Sequence, residues 1–158
     1  RAVGLTQLSF AEFAAWLAEH PETRAIIDTK RETVKILNKI ARDFPKLRGQ
    51  IIPQIYTFPQ YTLVAKAGFK DILLTLYASS YTDAAILKFA ATHRLVAVAM
   101  PAARASRGKL PAALQTQGVF VYAHLVDTPA LKEKLAALGV SGFYTALLEP
   151  ASTLALSL

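Results

Sequence analysis

Short apolar runs rich in β-branched residues recur along this chain in steps of 20 to 27 residues, with a helical pattern between each pair. The runs begin near Arg24, Ile51, Asp71, Leu95, Val119 and Gly142. A strand, a helix and two loops fit such a step. Strict alternation of strand and helix predicts parallel strands joined by right-handed crossovers. Runs such as Ile72-Leu73-Leu74 and Val96-Ala97-Val98 show no in-and-out alternation, which predicts strands buried on both faces. The fold class is therefore α/β.

Local signals place the elements. Ser9 and Glu12 have capping-box spacing ahead of a helix over Phe10 to His20. Its apolar stripe is Phe10, Phe13, Ala14 and Leu17, and Pro21 ends it. Arg24 to Asp28 reads as a buried strand. Glu32 to Phe44 reads as a helix with Val34, Leu37, Ile40 and Ala41 on one face. Ile51 to Tyr56 reads as a strand despite Pro53, which lacks a ladder N–H. Pro59 and Gly68 bracket the next helix. Strands follow over Asp71 to Tyr77, Leu95 to Met100, Val119 to His124 and Gly142 to Thr145. Helices are expected over Asp83 to Thr92, Leu110 to Gln117 and Ala130 to Leu138, with Gly118 and Gly139 closing the last two.

Two architectures accept this order. An open doubly wound sheet is satisfied by six strands. A (β/α)8 barrel needs eight and would be two short; the near-regular step and the leading helix suit it. No G-x-G-x-x-G or P-loop pattern is present, which argues against nucleotide binding.

Composition removes other classes. The 158 residues are 53% hydrophobic and 18% charged, so intrinsic disorder is excluded. The absence of cysteine excludes a disulfide scaffold and a zinc finger, and suits an oxidising compartment. No run of 18 apolar residues exists, so no transmembrane segment is expected. The formal charge of +7 can attract phosphate or anionic lipid. Nucleic acid is not an expected partner, since the basic residues form no tract of five and no zinc-finger, RRM or KH signature occurs. Arg1 to Leu8 lacks the pattern of a secretory signal, and residue 1 is not Met; a processed or truncated chain is the expectation.

In parallel α/β folds chemistry gathers at the carboxyl ends of the strands. The polar residues there are Asp28, Thr29 and Lys30; Gln54 and Tyr56; Thr75 and Tyr77; Tyr122, His124 and Asp127; and Tyr144, Thr145 and Glu149. Asp28 and Lys30 are two apart and share one face of an extended strand. Such a pair can hold a hard cation and a phosphate oxygen together, or can be a plain ion pair. His20 and His93 follow helices and read as capping or solvated residues. Arg104, Arg107 and Lys109 make a small basic loop, either solvated or touching a phosphate headgroup. The four tyrosines offer an apolar face and a hydroxyl, which suits a pocket for a polar organic ligand. Ser79 and Ser80 have no glycine elbow beside them, so a serine hydrolase is not expected.

The order of Ile26-Ile27-Asp28-Thr29-Lys30, Ile51-Ile52-Pro53-Gln54-Ile55-Tyr56, Ile72-Leu73-Leu74-Thr75-Leu76-Tyr77, Val119-Phe120-Val121-Tyr122-Ala123-His124 and Gly139-Val140-Ser141-Gly142-Phe143-Tyr144-Thr145 resembles the C-terminal part of the glycerophosphodiester phosphodiesterase family. The likeness is to bacterial members that look like phosphatidylinositol phospholipase C, and it runs from Leu8 to Pro150. It implies a parallel (β/α) barrel of TIM type, with residues 1–150 supplying strands three to eight and 151–158 an apolar tail. It implies hydrolysis of glycerophosphodiesters or related lipid-headgroup diesters with a divalent cation, Ca²⁺ or Mg²⁺. In the family an acidic-x-Lys pair ends the third strand; Asp28 matches the metal ligand and Lys30 the catalytic lysine near the phosphate. Gln54, Tyr56, Tyr77, Tyr122 and His124 would contact substrate, His124 standing where the family carries an aromatic residue. The family's closing Thr-Asp reads Thr145-Ala146 here, and its two catalytic histidines belong to strands absent from this sequence. An N-terminal fragment carrying those strands is then the expected partner, and the periplasm or the cell exterior the expected location, with the cytoplasm as the alternative. The competing readings are a non-catalytic binding or scaffold protein on a degenerate barrel, and an open-sheet module for an anionic ligand or partner protein.

Overall fold

The computed structural model describes residues 7–148. Glu149 and the apolar tail lie outside the described residues, as do the first six. The chain divides into two compact units, with the boundary in the sequence between Leu74 and Thr75.

The first unit opens with α1 (Phe10–Glu19). Its start is fixed by the anticipated capping box: Ser9 Oγ accepts from the Glu12 N–H at 3.2 Å, and Glu12 Oε2 accepts from the Ser9 N–H at 2.8 Å. This satisfies two N–H groups that have no partner inside the helix. At the other end the Gln50 side-chain amide donates to the carbonyls of Leu17 and His20, both at 2.8 Å. One side chain thus ties the helix terminus to the start of the second strand. Next come β1 (Ala25–Ile27), α2 (Thr33–Asp43), a 3₁₀ turn (Pro45–Gly49), β2 (Ile51–Ile55) and α3 (Phe58–Lys66). The third strand, β3 (Ile72–Thr75), is buried along its whole length.

β1 and β2 run parallel with Ala25 opposite Ile51 and Ile27 opposite Pro53. β2 and β3 run parallel with Gln54 opposite Leu73 and Ile55 opposite Leu74. Pro53 sits inside β2 without breaking it: the pairing with β3 is registered only past the proline. Leu17, Leu37, Ile55, Val64, Ile72 and Leu74 are fully buried and form the apolar interior of this unit. β1 is shorter than the sequence suggests, and Ile26 is 40% exposed. Two-faced burial therefore fails there.

The second unit carries α4 (Asp83–Thr92), β4 (Leu95–Pro101), α5 (Ala102–Ala105), α6 (Leu110–Thr116), β5 (Phe120–His124), α7 (Pro129–Ala137) and β6 (Gly142–Tyr144). β4 pairs parallel with β5 from Ala97↔Phe120 to Pro101↔His124, and β5 pairs parallel with β6 from Tyr122↔Gly142 to His124↔Tyr144. Just past β3, the Leu76 N–H donates to the Ala99 carbonyl at 2.7 Å. Ile86, Val98, Met100, Leu114, Val121 and Leu135 have essentially no exposed surface. The short α5 after β4 and the 3₁₀ turn before β2 were not legible, since neither is long enough to show a period. All registered strand pairs are parallel, so the fold is α/β as the alternation of elements requires. No helix of the described residues is long and apolar enough to cross a membrane.

Candidate functional site

The register of β1 against β2 decides what meets at their carboxyl ends. Because Ile27 lies opposite Pro53, Asp28 and Tyr56 leave their strands on the same side. The Tyr56 hydroxyl donates to Asp28 Oδ1, and Lys30 Nζ donates to Asp28 Oδ2 at 2.6 Å. The same hydroxyl accepts from Gln54 Nε2 at 3.3 Å and from Lys30 Nζ at 3.4 Å. Four of the anticipated residues, Asp28, Lys30, Gln54 and Tyr56, therefore form one hydrogen-bonded cluster. Lys30 is 77% exposed while Asp28 is 34% exposed, so the ammonium faces solvent from a partly sheltered carboxylate.

The charges in this cluster are mutually fixed. Partial burial pushes the Asp28 carboxyl up, but the hydrogen bonds from Lys30 and Tyr56, with the Lys30 charge, hold it below the usual carboxylate range. The bonds to Asp28 and then to Tyr56 hold the Lys30 ammonium above the usual lysine range. Burial, then the bond to Asp28, pushes the Tyr56 phenol up against the opposing bonds from Gln54 and Lys30. At neutral pH the cluster is thus a carboxylate, an ammonium and a neutral phenol.

Beside it lies a hollow of about 350 Å³, with Lys30, Thr33, Lys35, Tyr56 and Gln60 in its wall. α2 starts here. Its N-cap, Glu32, takes a left-handed conformation (φ +51°) and gives no side-chain cap. α2 thus starts without a side-chain cap, and the wall of the hollow also holds the Glu32 carboxylate, paired with Lys35 at 2.9 Å.

In the second unit the remaining anticipated residues form a separate group. The Tyr77 and His124 rings lie 6.0 Å apart, His124 and Tyr144 6.5 Å, and Tyr122 and Tyr144 5.7 Å between centroids. Asp127 Oδ1 accepts from Thr145 Oγ1 at 3.1 Å and from the Ala146 N–H at 2.9 Å, which makes it a turn-holding residue. His20 Nδ1 lies 2.7 Å from the Trp16 carbonyl and stacks on its indole at 4.2 Å. His93 Nδ1 lies 3.0 Å from the Phe89 carbonyl and stacks on its ring at 4.0 Å. Both have the helix-end role expected of them.

A scan against protein-family profiles finds no match, and neither does a search of curated proteins. Among solved structures the chain is similar to a protein of Agrobacterium tumefaciens strain C58 with the provisional name glycerophosphoryl diester phosphodiesterase. The identity is 17% and the TM-score 0.53, over 77% of this chain and 52% of that one. That likeness is one of fold. The chain spans about half the length of the protein it matches.

Gln60 also belongs to the site, although it lies in the first turn of α3 and not at a strand end. Its Oε1 accepts from the Tyr56 N–H at 2.7 Å and from the Thr57 N–H at 3.1 Å, and Thr57 and Gln60 form the capping box of α3. The signal was present as T-x-x-Q at 57–60. Through this bond the start of α3 fixes the backbone of Tyr56. Removing only the phenol oxygen tests how much of the Asp28 charge state depends on it. In Tyr56→Phe the carboxyl loses one donor, so its titration midpoint in a carboxyl-carbon NMR experiment is expected to rise toward the ordinary aspartate value. The sign for stability follows. A depressed folded-state value contributes stability above the unfolded-state value, and that contribution disappears as pH falls through the folded one. Tyr56→Phe should flatten this acid limb in urea titrations; an unchanged limb and midpoint would show that Lys30 alone sets the Asp28 charge.

Proposed function

We propose that the chain is the C-terminal part of a (β/α)8 phosphodiesterase that hydrolyses glycerophosphodiesters or related lipid-headgroup diesters. The observation that carries this reading is the Asp28–Lys30–Tyr56 cluster at the carboxyl ends of two parallel strands, beside the uncapped start of α2. The fold shared with half of the Agrobacterium protein supports it. In this reading Lys30 meets a phosphate oxygen and stabilises charge that grows there during attack. Asp28 keeps the ammonium charged and in place, while Tyr56 and Gln54 hold Asp28.

A calcium or magnesium ion belongs to the same proposal, with Asp28 as one oxygen ligand. Such ions take about six to eight oxygens in all. Among the described residues no group of three or more His, Cys, Asp or Glu side chains comes together, and both Asp28 oxygens already accept hydrogen bonds. The residues present thus do not make a cation site by themselves. The second reading, a binding protein on a degenerate barrel, is favoured by that same commitment of both Asp28 oxygens.

The test uses the longest polypeptide that contains this sequence. Release of the alcohol from a glycerophosphodiester, with calcium or magnesium supplied, supports the enzyme. Diester binding without turnover supports the second reading. Neither binding nor turnover overturns both.

A further inference from the structure

The second unit carries a hollow of about 510 Å³ between the turn that follows β3 and the segment that follows β4, with no residue of the Asp28 cluster in it. Leu76, Ala78, Pro101 and Ala103 make an apolar wall. Ser79, Ser80, Asp83, Arg104 and Arg107 make a polar one. Two cations against one carboxylate leave the lining positive.

The two arginines are set differently. Arg104 is 21% exposed, and its Nη2 donates to the Tyr81 carbonyl at 2.6 Å and to Asp83 Oδ1 at 2.8 Å. Those two bonds fix the guanidinium plane from one nitrogen and leave the Nε and Nη1 donors unused among the described residues. Arg107 stands three residues on, its side chain exposed and in no ion pair or side-chain hydrogen bond among the described residues. The Ser79 hydroxyl accepts from the Tyr81 N–H at 3.2 Å, so its own proton is still to be donated. Ser80 brings a second hydroxyl. The turn holding both serines follows Ala78, a non-glycine residue at φ +52°. Two arginine guanidiniums and two serine hydroxyls in one lining make up a donor set that a tetrahedral oxyanion accepts. The hollow is larger than a bare phosphate, and its remaining wall is apolar.

The geometry points to a binding site for a small organic phosphate in this hollow, with the phosphate on Arg104, Arg107, Ser79 and Ser80 and the organic group against Leu76 and Pro101. This goes beyond the phosphodiesterase reading, since it needs no hydrolysis and shares no residue with the Asp28 cluster.

Amide NMR titrations of the full chain with inorganic phosphate and with phenyl phosphate test it. Both anions are expected to shift Ser79, Ser80 and Arg107, with phenyl phosphate binding more tightly because it also covers the apolar wall. Arg107→Gln, a change at an exposed position, is expected to weaken phenyl phosphate at least about tenfold, the loss of one charge-assisted bond. Ser80→Ala should weaken it by less, with the affinity read at the Ser79 and Arg107 amides. A parallel arm offers vesicles of phosphatidylcholine with phosphatidic acid: binding there without any response to phenyl phosphate would overturn a soluble ligand. No shift at Ser79, Ser80 and Arg107, or an affinity read at those amides that Arg107→Gln leaves unaltered, would overturn the site itself. Because Asp28→Ala probes the first cluster and Arg107→Gln the second, failure of either reading leaves the other measurable.

Discussion

On the proposed reading, Asp28→Ala in the longest polypeptide that contains this sequence is expected to lose about a hundredfold or more in kcat/KM for glycerophosphodiester hydrolysis while remaining folded. The scale is that of removing one group preorganised for charge in a transition state. Asp28 reaches a phosphate only through what it holds. Without it, Lys30 Nζ loses the 2.6 Å contact that fixes its position, and the Tyr56 hydroxyl loses its acceptor. A largely exposed lysine on a flexible stem then spreads over many rotamers, and little of its charge stays where a phosphoryl oxygen would be. The fold should survive, because the ammonium left behind is already in solvent and exposed pairs contribute only about 0–1 kcal/mol. The urea midpoint is the control for that part. Asp28→Asn keeps the shape and a carbonyl acceptor but removes the charge, so it should fall between alanine and the native residue. Turnover by Asp28→Ala equal to the native rate would take Asp28 out of the chemistry and leave the cluster as a strand-end clamp.

How much of this could be read from the residues depends on the distance over which each effect acts. The Ser9–Glu12 box is local and was legible as spelled. So were the six strands, because each apolar run is bounded by turn residues. Asp28 and Lys30 were paired for a partly different reason. Alternation along an extended strand was expected to align them, yet β1 ends at Ile27 and the two meet in the turn beyond it. Tyr56 was legible as a strand-end residue but not as the partner of Asp28. They are 28 positions apart, and only the β1–β2 register brings the phenol to the carboxylate. The same holds for Asp127 and Thr145, 18 positions apart. Burial was the weakest inference. An apolar run says that a strand has oily faces, not that something covers both, and Ile26 and Phe120 are 40% and 57% exposed.

Gly139→Ala is expected to be far more destabilising than Gly118→Ala, although both glycines end helices in a left-handed conformation. Gly118 has φ +75° and follows α6; Gly139 has φ +95° and follows α7. An alanine at either position meets the left-handed penalty, about 1–2 kcal/mol. At Gly118 nothing lies within 4 Å of an added Cβ, so that penalty is the whole cost. At Gly139 the added carbon would sit 2.9 Å from the Ala112 backbone nitrogen and 3.0 Å from its Cα. Those are main-chain atoms of α6, which no side-chain rotation can move. Relief requires α7 to back away from α6, and Leu114 on α6 and Leu135 on α7, both completely buried, stand to lose packing. Overpacking a tight interior costs about 1–3 kcal/mol beyond the conformational term. The expected loss at Gly139 is therefore about 2–5 kcal/mol, a large share of the roughly 5–15 kcal/mol that holds a domain together. Urea denaturation of the two variants side by side isolates the contact term, since the backbone term is common to both. Equal losses would mean that the α6–α7 approach yields without cost, and that glycine is required at 139 only for its backbone angle.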